Sequence, residues 1–386
     1  MTDISIYFQP VDLSELNFRD QTVGSHIVCF SEEGNFPDYK DEGVAIIHAP
    51  EYRRGVEKSI SNEFLFREKL YHLFLGTKWD KSIYDFGTII PGSSIDDTYH
   101  AIRTVCVELI KKNILPVIVG GTQDITIPLY QSYEYLEQMV NITTIDSHFD
   151  IGEEKESVTS DSWFLPILTS KPCYLFNYSN IGLQGHYCPP KEMELIENLY
   201  FDFQRLGEVT ENITCVEPTL RNTDLLSFDL KAIRNSDMNG DNYIQPNGLF
   251  HHEACRVMRY AGISDKLSSI VIANYFPDNF CNSQHEAIAQ YIWYFIDGYM
   301  NRKGDFPVAS KKKYISYKVQ LIEQNEEITF YKSNVSDRWW MEVPYPVNEF
   351  AKYQRHYLVP CTYQDYQESM KGDLPNLWWK TYQKLI

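Results

Sequence analysis

The sequence lacks an excess of basic residues. Among its 386 residues, Asp and Glu number 53 and Lys and Arg number 35, so the formal net charge is −18 at pH 7. Proteins that bind nucleic acids or anionic membranes need a basic face. The composition therefore argues against a nucleic-acid-binding protein, and we expect no nucleic-acid partner.

The sequence also lacks long apolar runs and paired cysteines. No stretch of 18 apolar residues is present, which predicts no membrane insertion. The N-terminal segment MTDISIYFQP has no basic region followed by an apolar run, so we read no signal peptide there. The eight cysteines form no CxxC pair, and several lie in apolar runs such as RTVCVEL. Free thiols in a reducing compartment are expected, and with them a cytoplasmic location.

Two common catalytic signatures are missing as well. There is no GxGxxG or GxxxxGK[ST] motif, so nucleotide binding has little support. Ser227 lies outside any GxSxG context, which argues against a serine hydrolase.

Alternating strand and helix patterns fill residues 43–300. Short apolar runs predict strands at 43–50, 82–90, 114–121, 140–150, 171–182, 211–220, 225–233 and 268–277. Helical spacing predicts helices at 61–76, 96–112, 125–139, 190–206 and 283–300. This alternation predicts an α/β fold with a parallel sheet covered on both faces. Ligand sites in such folds lie at the carboxyl ends of the strands.

The pattern changes after Gly304. Period-2 alternation over residues 311–332 predicts a β-hairpin, and two tryptophan pairs follow at Trp339–Trp340 and Trp378–Trp379. We expect an α/β domain at 1–304 and a C-terminal extension at 305–386. The tryptophans either pack the extension onto the α/β domain or form an exposed patch for a protein partner.

Polar residues follow three of the predicted strands, in the segments GGTQD (120–124), DSHFD (146–150) and SFDLK (227–231). Alternate residues of an extended strand share a face, so Asp146, His148 and Asp150 are predicted to point the same way. Carboxylate, imidazole and carboxylate together suit a divalent cation such as Mn²⁺. A polar strand end facing a solvated cleft is the alternative. Asp229 and Lys231 have the same spacing.

These segments resemble the GGDHS, DAHxD and SxDxD motifs of the ureohydrolases, which include arginase, agmatinase and formimidoylglutamase. The resemblance extends over roughly residues 43–300. It implies a three-layer α/β fold with a central parallel sheet and a two-Mn²⁺ centre. In that family the metal pair activates a hydroxide, which attacks a guanidinium or formimino carbon. The resemblance also implies trimers or hexamers, so a homo-oligomer is expected.

The sequence departs from the family pattern at several places, including Thr122, where the family has an acidic residue, and Arg234-Asn235, where it has Asp-Pro. Gln123 stands where the family has its first histidine ligand, and Lys231 stands where it has the second aspartate of SxDxD. Asn274 replaces an acidic residue that many members carry, and residues 151–166 lack the histidine that many members have there. The positions of Asp146, His148, Asp150 and Asp229 match the family's metal ligands.

The replacement of an aspartate by Lys231 changes the charge at this position of the cluster from negative to positive. A divalent cation a few Å from an ammonium is repelled by several kcal/mol at an effective dielectric of about 20. The second metal position is therefore predicted to be empty, with the Lys231 ammonium near Asp146, Asp229 and His148 as a counter-ion. Gln123, with Asp146, Asp150 and Asp229, offers at most one weak site for Mn²⁺, Mg²⁺ or Ca²⁺. We expect no tightly bound metal, with one divalent ion as the alternative.

Three functions remain open. The first, which we favour, is a degenerate ureohydrolase that has lost dimanganese hydrolysis and acts as a binding or scaffold protein. The second is a single-metal C–N hydrolase of the formimidoylglutamase type, acting on a linear amidine or guanidino substrate. In it His148 or Asp150 would shuttle protons, and Lys231 would stabilise the developing anion or bind a substrate carboxylate. The third is an interaction protein whose partner binds the Trp-rich extension.

Overall fold

The computed structural model describes most of the chain, in nine ranges. They are residues 3–14, 16–32, 34–55, 65–153, 157–238, 244–307, 311–321, 326–346 and 353–385.

A ten-stranded, mostly parallel sheet forms the centre of the molecule. Its order is β1-β4-β3-β5-β10-β9-β6-β7-β8, with β2 paired to β4, and only the β1–β4 pair is antiparallel among the described pairings. The strands are β1 Phe8–Gln9, β2 Val28–Cys29, β3 Gly43–His48, β4 Ser82–Ile89, β5 Ile114–Val119, β6 Val140–Ile145, β7 Leu175–Leu183, β8 Asp202–Arg205, β9 Leu225–Asp229 and β10 Ser269–Ala273.

The central strands are buried on both faces, which explains their continuous apolar sequences. All six residues of β3, β5 and β6 are buried. In β3, Val44 and Ile46 join one core cluster, while Ala45 and Ile47 join the other. Because alternate residues of a strand face opposite ways, helices cover both faces of the sheet. The predicted three-layer α/β fold is confirmed.

The helices pack in two layers against this sheet. Helices α2, α9 and α10 contribute to the first cluster and α3 and α4 to the second. Helix α3 begins after Ser94, whose side chain accepts a hydrogen bond from Asp97 N. The helices before the extension are α1 Val23–His26, α2 Leu65–His72, α3 Ile95–Lys111, α4 Thr126–Tyr135, α5 Phe164–Leu168, α6 Pro190–Asn198, α7 Leu206–Glu211, α8 Val216–Arg221, α9 His251–Gly262 and α10 Asn282–Met300.

Three sequence predictions need correction. The strand predicted at 211–220 is wrong: Asn212 caps a turn by accepting from Thr214 N, and helix α8 follows. The helix predicted at 190–206 ends at Asn198, since Tyr200 has a φ of +56° that no α-helix accommodates, and strand β8 follows. The helix predicted at 61–76 ends at His72, and its residues 61–64 lie outside the described ranges.

The C-terminal part forms a four-stranded antiparallel sheet in the order β11-β12-β13-β14. The predicted hairpin is confirmed by the β11–β12 pairing, although residues 322–325 lie outside the described ranges. Its elements are β11 Tyr314–Leu321, β12 Glu326–Ser333, β13 Trp339–Glu342, β14 Leu358–Cys361, α11 Tyr363–Ser369 and α12 Asn376–Leu385.

Three of the four paired tryptophans pack inside this C-terminal part. Trp339, Trp340 and Trp378 are buried in a cluster that also includes Phe176 of β7, whereas Trp379 is 46% exposed. The packing interpretation therefore holds for three of them. Among the described helices, none is both long and apolar enough to span a bilayer.

Candidate functional site

The sequence-predicted site residues gather at the carboxyl ends of four adjacent strands. Strands β5, β10, β9 and β6 are neighbours in the sheet and run parallel, so their ends lie side by side. Gln123 follows β5, Asn274 follows β10, and Asp229 is the last residue of β9. Asp146 comes directly after β6. The topology thus brings together side chains that are far apart in sequence.

Three carboxylates form a tight cluster at this edge. Oxygen atoms of Asp146, Asp150 and Asp229 all lie within 4.8 Å of one another, and all three residues are buried. Within the described ranges, no other group of three or more His, Cys, Asp and Glu side chains meets this spacing. The cluster is the arrangement that a divalent cation with oxygen ligands requires.

The cluster forms by a bend rather than by strand alternation. Strand β6 ends at Ile145, so the prediction of one extended strand through Asp150 is wrong. The Asp146 side chain accepts a hydrogen bond from His148 N at 3.0 Å, which turns the chain. Asp150 has a φ of +53°, a left-handed conformation that Asp tolerates better than most residues. The turn brings Asp146 and Asp150 together and leaves His148 outside the group.

His148 lies beside the cluster and contacts other partners. Its ring stacks on Tyr187 with centroids 5.1 Å apart, and its Nδ1 is 2.8 Å from the Ser147 hydroxyl and 3.8 Å from Asp146 Oδ1. Burial opposes its charge, yet the hydrogen bond and charge of Asp146, with the charge of Asp229, raise its pKa. His148 is 33% exposed in its side chain, so it faces the cleft.

Lys231 lies at the mouth of the cluster. Strand β9 ends at Asp229, and Lys231 sits in a short 3-10 turn, with its backbone N donating to Asp229 Oδ1 at 2.7 Å. The expectation that Lys231 continues the strand at i+2 is therefore wrong. Its Nζ forms an ion pair with Asp161 Oδ1 at 2.7 Å. Against the effect of burial, Asp229 and Asp161 raise the pKa of Lys231, and the charge of Asp150 adds to this.

The Asp161 partner was missed by sequence reasoning. An acidic residue in a loop carries no pattern of its own, so nothing in residues 151–166 marks Asp161 as a partner of Lys231. The sequence expectation named Asp146, Asp229 and His148 as neighbours of the Lys231 ammonium. The structure instead pairs it directly with Asp161, while Asp229 and Asp150 act through space.

Gln123 and Asn274 supply neutral amides. The motifs that the sequence resembles have a histidine at the first position and an acidic residue at the second. Gln123 Nε2 donates to Ser227 Oγ at 3.4 Å, and its Oε1 is buried without a hydrogen-bond partner among the described residues. Asn274 Nδ2 donates to Asp229 Oδ1 at 2.8 Å. One oxygen of Asp229 therefore already accepts two hydrogen bonds, from Asn274 and from the Lys231 backbone.

The electrostatics of the cluster show that its carboxylates are not fully neutralised. Burial, with the charge of Asp146 next, raises the pKa of Asp229 to about 7. Burial, followed by the charges of Asp146 and Asp161, raises the pKa of Asp150 well above its ordinary value. Lys231 opposes both shifts. Three buried carboxylates beside one ammonium need further positive charge, as protons or a cation.

A cleft of about 360 Å³ opens above these residues. Its volume lies in the range of small-molecule sites. Tyr187, Glu192 and Gln245 line it without having been predicted, and no sequence motif marks them. Among the described residues, the lining consists of His148, Asp150, Asp161, Tyr187, Pro189, Glu192, Asp229, Lys231, Ile244 and Gln245.

Comparisons with solved structures find the same fold. A Trypanosoma cruzi formiminoglutamase with manganese is 18% identical, with a TM-score of 0.61, covering 68% of this chain and 95% of that one. The Bacillus subtilis formimidoylglutamase is 17% identical, with a TM-score of 0.65, covering 76% and 97%. A hypothetical agmatinase from Burkholderia thailandensis is 14% identical, with a TM-score of 0.57, covering 69% and 89%.

The search of curated proteins found no match. The family model described as the Arginase family matches residues 47–294, which is more than half of the sequence. The resemblance read from the three strand-end motifs is thereby confirmed at the level of the family. The chain belongs to the arginase family.

Proposed function

We propose that this chain is an arginase-family protein that has lost dimanganese hydrolysis and acts as a binding or scaffold protein. The observation that carries the proposal is the Lys231 ammonium, which stands beside the carboxylate cluster and pairs with Asp161. A divalent cation about 4 Å from an ammonium meets a repulsion of roughly 8 kcal/mol at an effective dielectric of about 20. Lys231 therefore works against a second cation.

The remaining donors fit one cation and not two. Asp146, Asp150 and Asp229 offer oxygen atoms within 4.8 Å of one another, a spacing suited to a single ion. A second ion would need donors beyond these three carboxylates. The nearby Lys231 brings positive charge instead, and the Asn274 amide already donates to Asp229.

The cleft retains the means to bind a ligand. It presents the Lys231 ammonium, the Asp161 and Glu192 carboxylates and the stacked pair of His148 and Tyr187. Such a mixture suits a small polar molecule that carries both charge signs and a flat group. A homo-oligomer, or a protein partner bound through the C-terminal extension at 305–386, is part of the same proposal. We also propose a cytoplasmic location, which the eight unpaired cysteines support.

The metal content of the purified protein tests this proposal. After incubation with excess Mn²⁺ and desalting, we expect wild type to retain well below about one Mn per chain by elemental mass spectrometry. The Lys231→Asp variant should gain manganese, because it exchanges the repelling ammonium for a carboxylate. Lys191→Asp makes the same charge change on an exposed helix residue and should gain none. About two Mn per wild-type chain would contradict the proposal.

A single-metal hydrolase of the formimidoylglutamase type is the second candidate. It is favoured by the three-carboxylate cluster and by the buried Gln123 Oε1, a neutral oxygen without a hydrogen-bond partner in the described ranges. One divalent cation held by these residues would supply Lewis-acid chemistry. His148, half-buried beside the cluster, would move the proton, and Lys231 would hold a substrate carboxylate.

Two assays separate this candidate from the first. About one Mn per wild-type chain, lost in Asp146→Ala, would favour the hydrolase. Ammonia or formamide release from N-formimino-glutamate with Mn²⁺ present, lowered in His148→Asn, would then establish the reaction. No turnover of formimino or guanidino compounds by metal-loaded protein would exclude it.

A further inference from the structure

A second cavity lies at the opposite end of the central sheet, where the strands begin. It has a volume of about 490 Å³. Glu42, Lys81, Ile114 and Ser268 line it, and they precede or begin strands β3, β4, β5 and β10. Arg355 of the C-terminal part also lines it. The cavity is therefore remote from the carboxyl-end cleft and is closed in part by the C-terminal part of the chain.

Basic side chains dominate the charged lining of this amino-end cavity. Among the described lining residues, the cations are Lys81, Lys266, Arg302 and Arg355, and the carboxylates are Glu42 and Asp265. This balance is the reverse of the whole chain, whose net charge is −18. A local excess of cations in an acidic protein concentrates a field that attracts anions.

The cations of the cavity do not each have a carboxylate partner. Lys81 pairs with Glu42. Lys266 and Arg355 share one buried carboxylate, Asp224, at 3.5 and 2.8 Å. Arg302 forms no ion pair among the described residues, and the charges of Asp265 and Glu42 act on it through space.

Arg302 and Arg355 retain donors that nothing in the described ranges uses. Arg302 donates from Nε to Gly262 O and from one Nη to Leu267 O, both at 2.9 Å, which leaves the rest of its guanidinium available. Nε of Arg355 is buried without a hydrogen-bond partner among the described residues. An oxyanion in the cavity can reach only donors that the cavity exposes, so the enclosed Nε of Arg355 is not one of them, and the Nη groups of Arg302 and Arg355 are the ones available.

The charge of the buried cations is also held at a cost. Burial lowers the pKa of Lys266 to about 8 and that of Arg302 to about 10, although Asp224 and Tyr299 respectively act in the opposite direction. Burial raises the pKa of Asp265, which weakens its carboxylate as a counter-charge to Arg302. An anion in the cavity would favour the charged forms of both basic residues.

We propose that the amino-end cavity binds a small organic anion whose phosphate or carboxylate group is held by Arg302 and Arg355. The guanidinium groups match the geometry of both oxyanions. The volume exceeds the needs of a single oxyanion and falls within the range of small-molecule sites. This site is independent of the chemistry proposed for the carboxyl-end cleft.

Isothermal titration calorimetry of the full chain with citrate and with inorganic pyrophosphate tests the proposal. We expect at least one of the two probes to bind wild type with a Kd below about 1 mM, at an ionic strength matched with sodium chloride. Arg355→Gln should weaken binding by about tenfold, since a charge-assisted bond is lost. Citrate binding alone would identify a carboxylate ligand, and pyrophosphate binding alone a phosphate ligand.

A gentler variant guards against effects on folding, because Arg355 also contacts Asp224. Asn113 is exposed, lines the cavity and has a φ of +56°, which Asp tolerates. Asn113→Asp adds one negative charge there and should weaken binding by about threefold. Asn198→Asp makes the same change on an exposed residue of α6 and should have no effect.

Two results would overturn the proposal. One is the absence of binding by either probe to wild type up to about 10 mM. The other is binding that survives both Arg355→Gln and Asn113→Asp but is lost in Lys231→Met, since the anion would then occupy the carboxyl-end cleft.

Discussion

The carboxyl end and the amino end of the central sheet differ in the sign of the charge that they bury. At the carboxyl end, Asp146, Asp150 and Asp229 crowd together beside one ammonium. At the amino end, Lys266 and Arg355 share a single carboxylate, Asp224. Each end thus carries charge that its own neighbours do not balance. Both ends belong to the same sheet, so the difference lies in the residues at the strand ends and not in the fold that carries them.

The largest expected effect is a loss of unfolding free energy when Asp224, at the amino end of the sheet, is replaced. This buried carboxylate accepts from Asn141 N at 2.9 Å as well as from Arg355, and Asp224→Asn leaves two cations without their counter-charge. Removing one partner of a buried ion pair costs about 3–5 kcal/mol. Urea unfolding should show a loss of that size, whereas Asp373→Asn, on an exposed residue, should change stability little. A loss below about 1 kcal/mol would mean that Lys266 and Arg355 do not depend on Asp224.

A smaller effect is expected at the carboxyl end. Lys231→Met should lower the free energy of unfolding by about 1–2 kcal/mol without metal, because Asp229 and Asp150 lose their nearest cation. The Lys231–Asp161 pair itself is 25% and 66% exposed, so a double-mutant cycle with Asp161→Asn should give a coupling of only about 0.5–1 kcal/mol.

The cycle distinguishes the two roles of Lys231. A single-variant loss no larger than the coupling energy would mean that Lys231 acts only on Asp161. The stability of the carboxylate cluster would then not depend on Lys231, and the two ends would no longer both rely on a buried counter-charge.

The smallest expected effect is a pH dependence near the amino end. Burial, with the charges of Lys266, Arg355 and Lys384, holds the pKa of His356 well below its ordinary value, although a backbone bond to Met139 opposes this. The unfolded chain binds the proton near pH 6.5 and the folded chain does not, so stability is present above that pH and falls below it. Between pH 7 and 5.5 the residue should account for a loss of about 1 kcal/mol.

The His356→Asn variant isolates this contribution. Its unfolding free energy should fall less steeply between pH 7 and 5.5 than that of wild type, measured by urea titration at each pH. His252→Asn alters an exposed histidine and should follow the wild-type slope. Equal slopes for wild type and His356→Asn would show that His356 takes up its proton in the folded state.

Local patterns were enough to predict the central strands of the sheet and the region of the site. The apolar runs of β3, β5 and β6 are buried on both faces, so their sequences carry an unambiguous signal. Because these strands run parallel, the polar residues that follow β5 and β6 lie at the same edge of the sheet. The prediction at 211–220 failed because the apolar residues there resemble a strand, while the Asn212 cap and helix α8 depend on hydrogen bonds that periodicity does not record.

Contacts between distant segments were beyond the reach of sequence reasoning. Lys231 and Asp161 are separated by 70 residues, and no motif joins them. The left-handed conformation of Asp150 that closes the carboxylate cluster has no marker such as glycine. The amino-end cavity gathers Lys81, Lys266 and Arg355 from separate parts of the chain, so only the folded structure brings them together.

We propose that Lys231 prevents a manganese pair at the carboxyl end. Electron paramagnetic resonance of Mn²⁺-loaded protein tests it directly, because two manganese ions in one site couple magnetically and a single ion does not. We predict that wild type gives no coupled signal. The Lys231→Asp variant should show a coupled component, while Lys191→Asp should not. A coupled two-manganese spectrum from the wild-type protein would show that Lys231 does not exclude a manganese pair.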